Sequence, residues 1–351
     1  MSETRALINT QTGSFKLHND SSVKAPTPLP LVPAAFFGIV LGLAGLGNAW
    51  RSAAALWTIL PQFIGEVISF AAVMVWAIVS VLYALKWLVA REQALLEAEH
   101  AVQCCFIGLA GVSTMLVALA VGPYSLIAAW ILYLAGGVFT LVFALWRTGR
   151  LWHGSRDATT TTAVLYLPTV AGSFVAAIGA SALGHPDWGQ LAFGAGFFSW
   201  LAIESVVLHR LLTATEMALP LRPTMAIQLA PPAVGCVAYL SVTTGVPDAL
   251  ANAMLGYAML QALLLLRLAP WIYRQQFAPS YWGATFGATA LATAAIRMAG
   301  RGEIGAVQTI APALFVFANI VVGIIAAGTI YLMMRGRIIP SLPPVESGAR
   351  L

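Results

Sequence analysis

Charge is what this sequence has least of. Of its 351 residues only 9% are Asp, Glu, Lys or Arg, where a soluble domain carries roughly a quarter. With 60% hydrophobic residues and a mean hydropathy of +0.84, that scarcity excludes an ordinary water-soluble domain and points to an integral membrane protein. Cysteine is scarce too. Cys104, Cys105 and Cys236 all lie in apolar runs without a CxxC spacing. Neighbouring cysteines point in different directions on a helix, so the three read as small apolar residues rather than a disulfide or metal set. The first 32 residues are polar and rich in proline, without the charged and then apolar regions of a cleaved signal peptide.

Catalytic vocabulary is missing as well. GxSxG, HExxH and P-loop patterns are absent. The five histidines, His18, His100, His153, His185 and His209, fall in loops or at the ends of apolar runs, and no pair has metal-ligand spacing. No enzyme, metal or cofactor is therefore expected. Acids at membrane depth are few. Glu66 lies near the end of its run, and Glu204, in "FFSWLAIESVVLHR", is the one deep carboxylate. Two readings of Glu204 stay open: an acid hydrogen-bonded between helices, or a proton-coupling group, since intramembrane acids are functional suspects by default.

What the chain has in abundance is apolar runs of about the ~20 residues that span a bilayer. Ten are expected: 33–53, 63–88, 103–121, 124–146, 163–183, 191–212, 224–245, 248–269, 281–299 and 306–334. The third and fourth are joined only by "GPY" and the seventh and eighth by "GVPD", joints short enough for helical hairpins. Residues 1–32 and 335–351 are then tails on either side of a membrane domain, 33–334. If the N-terminus is cytoplasmic, all of the 18 Lys and Arg residues except Arg51, Arg297 and Arg301 fall inside. That asymmetry puts both termini in the cytoplasm. It also explains the net charge of +5 without nucleic acid, since basic loops suit an anionic inner leaflet. Trp50, Trp57, Trp87, Trp146, Trp271 and Trp282 sit near run ends, where interfacial anchors belong.

The runs alternate in character. Odd ones, such as "PAAFFGIVLGLAGLG" and "WGATFGATALATAA", are thinned to Gly, Ala, Ser and Thr; even ones, such as "FAAVMVWAIVSVLYALKWL", are bulky. Small residues let backbones approach or leave space beside them, and bulky aliphatics suit lipid. The repeat predicts five hairpins with odd helices inward, around a pathway lined by small residues. Tight packing through GxxxG-like pairs, as in "GIVLG" and "GATFG", is the plainer reading of any single run. Candidate lining residues are Gly42, Gly172, Phe174, Pro231, Gly283, Gly287 and Thr289. Pro231 and Pro232, well inside the seventh run, remove two amide donors and predict a kink that leaves the carbonyls of Ile227 and Gln228 without their usual partners. A wall without fixed charge, with basic residues at the cytoplasmic mouth, suits small anions and weak binding. Phe286 interrupts the small residues of the ninth run, and periodicity alone lets it face lipid or the pathway.

The stretches "PAAFFGIVLGLAGLGNAWR", "LYLPTVAGSF", "FGAGFFSWLAIESVVLHRL", "AIQLAPPAV" and "YWGATFGATALAT" resemble the TehA tellurite-resistance family. Those bacterial proteins are homologous to plant slow anion channels and related to malic-acid and C4-dicarboxylate transporters. The likeness runs over about residues 30–336. It implies an all-α membrane protein of ten helices, five hairpins in a quasi-fivefold arrangement around a central pore, assembled as a homotrimer among the lipids of the bacterial inner membrane. It also implies conduction of small inorganic or organic anions through a pore plugged by Phe286 and lined in part by Gly38. Two positions depart from the family pattern: Ser173 stands before Phe174 where the family has Asn, and Ser205 follows Glu204 where it has Pro. The alternative function is a proton-coupled secondary transporter exporting dicarboxylates or oxyanions of the tellurite, sulfite or malate type.

Overall fold

Small-residue and bulky runs make different helices in the computed structural model, which describes residues 31–154 and 157–337. Most of the two expected tails, residues 1–30 and 338–351, lies outside the described residues. Ten long helical segments follow one another: α1 (Ala34–Leu56), α2 (Gln62–Val89), α3 (Cys104–Val121), α4 (Leu126–Trp152), α5 (Ala163–Ala182), α6 (Pro186–Thr213), α7 (Leu219–Val242), α8 (Ala249–Ile272), α9 (Gly283–Gly300) and α10 (Ala306–Met334). Among the described residues nine helices are long and apolar enough to cross a membrane. The exception is α9, whose Gly, Ala and Thr residues and Arg297 leave it less apolar. It is also enclosed by protein, with every side chain from Thr285 to Ile296 buried, so it need not be apolar enough for lipid.

The alternation seen in the sequence is one of burial. In α1, α3, α5 and α7 between 72% and 83% of the most apolar window is buried, against 22% to 33% in α2, α4, α6, α8 and α10. Even helices present Phe63, Phe70, Ile131, Phe198, Leu263 and Ile320 on the outside, an apolar surface far larger than water-soluble proteins tolerate. Each odd helix packs on the even helix that follows it. The odd helices also pack side by side in a closed ring: α1 on α3, α3 on α5, α5 on α7, α7 on α9, and α9 back on α1. The five tight hairpin connections lie on one face of the molecule, here the hairpin face. Two of them are fixed by caps: Ser125 Oγ accepts from Ala128 N (3.3 Å), and Asp248 Oδ1 accepts from Leu250 N and Ala251 N (both 3.1 Å).

The opposite face, where the tails leave, is built differently. Every odd segment begins there with backbone that is not regular α-helix. In α1 it is a 3₁₀ turn after Pro33 (Ala34–Phe36), and in α3 a four-residue turn broken at Gly108. The first part of α5 is a 3₁₀ turn followed by a π-helical stretch (Leu167–Ala171), and that of α7 an eleven-residue 3₁₀ run (Leu219–Leu229). A 3₁₀ turn (Pro279–Trp282) leads into α9. Such departures are uncommon at this length and cluster at functional sites.

Pro231 and Pro232 prove to be helix starters rather than a kink. The α-helical part of α7 begins at Ala230, which places both prolines in its first turn, where a missing amide costs little. The Ile227 carbonyl is taken by Ala230 N. Trp282 is likewise no interfacial anchor. It is 2% exposed, and its indole N–H donates to Thr329 Oγ1 at 2.8 Å.

Between α2 and α3 runs a short helix, Arg91–Glu99, absent from the sequence expectation. Its Glu97 is buried. One carboxylate oxygen takes Lys86 Nζ (2.6 Å) and the other accepts Ala34 N (2.7 Å), a free amide at the start of α1.

Candidate functional site

Inside the ring lie two cavities in line. The tail-side cavity, of about 40 Å³, draws its wall from all five odd segments, including Gly38, Phe106, Tyr166, Phe174, Pro231 and Gly283. Its surface is almost wholly apolar. The hairpin-side cavity, of about 50 Å³, is walled by Gly45, Asn48, Arg51, Ser69, Thr289 and Thr293 among others. Each has room for only a few water molecules. Phe286 belongs to the walls of both, as does Val234. The aromatic ring thus stands where the two spaces meet, 8% exposed.

The small residues of α9 divide into two sets. Gly283 lines the tail-side cavity, while Gly287 faces α7, where an added Cβ would come within 2.9 Å of Ala230 N. Gly42 packs on Thr285 of α9 and on Trp282 in the turn before it, and Gly172 on Thr140 of α4; like Gly287, neither lines a cavity. Gly38, Phe174, Pro231 and Gly283 line the tail-side cavity and Thr289 the hairpin-side one. Phe174 is fully buried and stacks on Phe193 of α6 (5.8 Å between centroids).

The threonine hydroxyls along α9 do not offer protons to the cavities. Thr285 Oγ1 donates to the Trp282 carbonyl (2.7 Å), Thr289 Oγ1 to that of Thr285 (3.0 Å) and Thr293 Oγ1 to that of Thr289 (2.8 Å). Their donors are already engaged within the helix.

Glu204 lies outside the ring wall, in a polar knot that ties four helices. Its Oε2 accepts from Tyr166 Oη of α5 (2.7 Å) and Trp200 Nε1 of its own helix (2.8 Å). Its Oε1 accepts from Gln228 Nε2 of α7 (2.7 Å) and from Tyr257 Oη of α8, whose oxygen in turn accepts from Gln261 Nε2 (2.7 Å). Four donors fill the acceptor sites of one carboxylate. Tyr166 also reaches the tail-side cavity. Helix α6 runs unbroken through Ser205, the position at which the resembling family has proline.

At the hairpin face Glu66 holds Arg51 through two hydrogen bonds (2.6 and 2.9 Å) and accepts from Tyr124. Outside the spans, the Tyr239 hydroxyl and two backbone amides hold Asp248 below the usual carboxylate range. Cys104, Cys105 and Cys236 are buried within helices, and among the described residues no group of three His, Cys, Asp or Glu side chains could hold a metal ion.

Comparison with known proteins matches residues 32–330 to the family model described as "Voltage-dependent anion channel". The chain is 34% identical over 323 residues to a tellurite resistance protein TehA homolog of Haemophilus influenzae, covering 92% of this chain and 96% of that one. It is 25% identical over 281 residues to the guard cell S-type anion channel SLAC1 of Arabidopsis thaliana, covering 76% of this chain and half of the plant protein.

Proposed function

The chain belongs to the voltage-dependent anion channel family, and from that premise we propose that it is an anion channel whose pathway runs through the ring of odd helices and is closed by Phe286. The observation that carries the reading is the position of Phe286, common to the walls of both cavities. In this reading α9 is the tenth span, the tail face is cytoplasmic in accord with the Lys and Arg distribution, and the protein sits in a bacterial inner membrane as a homotrimer. Small anions pass in a largely dehydrated state along an apolar wall that binds them weakly enough to release them.

The saturated acceptors of Glu204 support a clamp that joins α5, α6, α7 and α8 rather than a proton carrier. A carboxyl that gains a proton must turn one of its four donors into an acceptor. The secondary-transporter alternative draws no support from that arrangement.

The test is electrical. Phe286→Ala, reconstituted in planar bilayers, is expected to carry anion current far above wild type, with reversal potentials that follow the anion gradient. Unchanged current in a folded, inserted mutant would remove Phe286 as the barrier.

A further inference from the structure

The face of α9 that lines the cavities carries Gly283, Phe286, Ala290 and Thr293. The next residue on that face, one turn on, is Arg297. Its guanidinium reaches Ser241 Oγ at the end of α7 (Nη1, 3.1 Å) and Asn48 Oδ1 of α1 (Nη2, 3.4 Å). Both acceptors are neutral, and among the described residues no carboxylate comes within 4.0 Å of Arg297. Arg51, the arginine in the wall of the hairpin-side cavity, differs in that Glu66 neutralises it. Arg301, one turn beyond Arg297, donates to the Leu240 carbonyl and so caps the end of α7.

Arg297 is therefore a cation hydrogen-bonded to the wall of the hairpin-side cavity, with no carboxylate within 4.0 Å among the described residues. Asn48 is in that cavity's wall. Its carbonyl oxygen accepts from Arg297 Nη2, which ties the arginine directly to a side chain of that wall. The threonine hydroxyls above Phe286 are engaged with their own helix, so they do not compete with Arg297 and Asn48 for a solute.

We propose that Arg297 and Asn48 form an anion site at the hairpin-face mouth, which takes a small monovalent inorganic anion of the halide or nitrate class. The inference rests on the reading of the ring as an anion pathway and adds an unpaired charge to a wall whose own arginine, Arg51, is held by Glu66. A cavity of about 50 Å³ suits an ion with few atoms better than a dicarboxylate. The site makes the pathway select anions over cations at one end. A guanidinium binds planar oxyanions through two parallel N–H groups, which a lysine cannot reproduce.

Two measurements test this, one without conduction. Purified protein in detergent is melted in sodium nitrate and in sodium gluconate of equal ionic strength. Wild type and Arg274→Gln, which makes the same change in net charge at the tail face, are expected to gain thermal stability in nitrate; Arg297→Gln is expected to lose that gain. In bilayers under a potassium chloride gradient, Phe286→Ala/Arg297→Gln is expected to show an anion-over-cation permeability ratio several-fold below that of Phe286→Ala. If Arg297→Gln keeps both the nitrate effect and the selectivity, the site is refuted. If Phe286→Ala carries no current but Arg297→Gln still abolishes the nitrate effect, the anion site stands and the gate reading fails. Should Arg297→Gln not fold, Arg297→Lys is expected to move the nitrate midpoint several-fold upward, and an unchanged midpoint overturns the proposal.

Discussion

Phe286 of α9 and Val234 of α7 are the two residues that belong to the walls of both cavities. They come from adjacent helices of the ring, so the barrier between the cavities has a large contributor and a small one. An aromatic ring excludes far more space than an isopropyl group. Val234→Ala alone is therefore expected to leave bilayer conductance close to wild type. Placing the bulk on the other helix should close the pathway again: Phe286→Ala/Val234→Phe is expected to lose most of the conductance gained by Phe286→Ala. A double mutant as conductive as Phe286→Ala would show that the constriction lies elsewhere.

Glu204 offers a test that separates a clamp from a proton carrier. Glu204→Gln keeps the shape but sets an amide NH₂ against two of the four donors now accepted by the carboxylate. Each buried group left without a partner costs ~1–3 kcal/mol in water-soluble proteins, and measured pairs inside membranes average nearer ~0.6 kcal/mol. A loss of about 1–6 kcal/mol for two such groups follows from those limits, read as a lower melting temperature in detergent. The current of Phe286→Ala/Glu204→Gln should vary with pH as that of Phe286→Ala does. Loss of a pH-dependent flux on this substitution would instead assign Glu204 to proton coupling.

How far these features were legible in the sequence depends on what each must satisfy. The alternation of thin and bulky runs could be read because lipid-facing and ring-facing helices need different side chains. It returns as the contrast in burial between odd and even helices. The backbone at the tail face could not be read. Pro33, Pro168, Pro231 and Pro279 announce missing donors, but not whether the chain answers with a kink, a 3₁₀ turn or the start of a helix. Trp282 was misplaced for a related reason: position near the end of a run says nothing of whether α10 covers the ring there. Arg297 could have been found by continuing the face of Phe286 through Ala290 and Thr293. Its nearness to the end of the run made it look like a loop charge. Nothing in "REQALLEAE" announced Glu97, since that helix has little amphipathic character.

The Lys86–Glu97 pair anchors the Arg91–Glu99 helix to α2 and to the first amide of α1. Both side chains are less than a tenth exposed. Glu97→Leu strands the Lys86 charge and the Ala34 N–H, and breaking a buried pair in this way costs ~3–5 kcal/mol. Replacing both partners by neutral groups is often close to neutral. Lys86→Met/Glu97→Gln, which retains an acceptor for Ala34 N, is therefore expected to melt well above Glu97→Leu. If the double mutant melts no higher than Glu97→Leu, the pair contributes through packing alone and not through its charges.

The glycines of α1 and α9 test which small residues are there for contact and which for space. A Cβ on Gly287 would lie 2.9 Å from the backbone nitrogen of Ala230 and 2.9 Å from Leu229 Cβ. Backbone cannot swing aside as a side-chain tip can, so Gly287→Ala must push α9 away from α7. Overpacking of this kind costs ~1–3 kcal/mol, and a clear drop in melting temperature is expected. A Cβ on Gly38 would find its nearest neighbour, Trp282 Cβ, at 3.4 Å, an ordinary contact, and would otherwise point into the tail-side cavity. Gly38→Ala is expected to melt like wild type and, combined with Phe286→Ala, to reduce that mutant's conductance by narrowing the wall. Equal thermal losses in Gly287→Ala and Gly38→Ala would mean that both glycines serve helix contact, and that the small residues of α1 do not make the space.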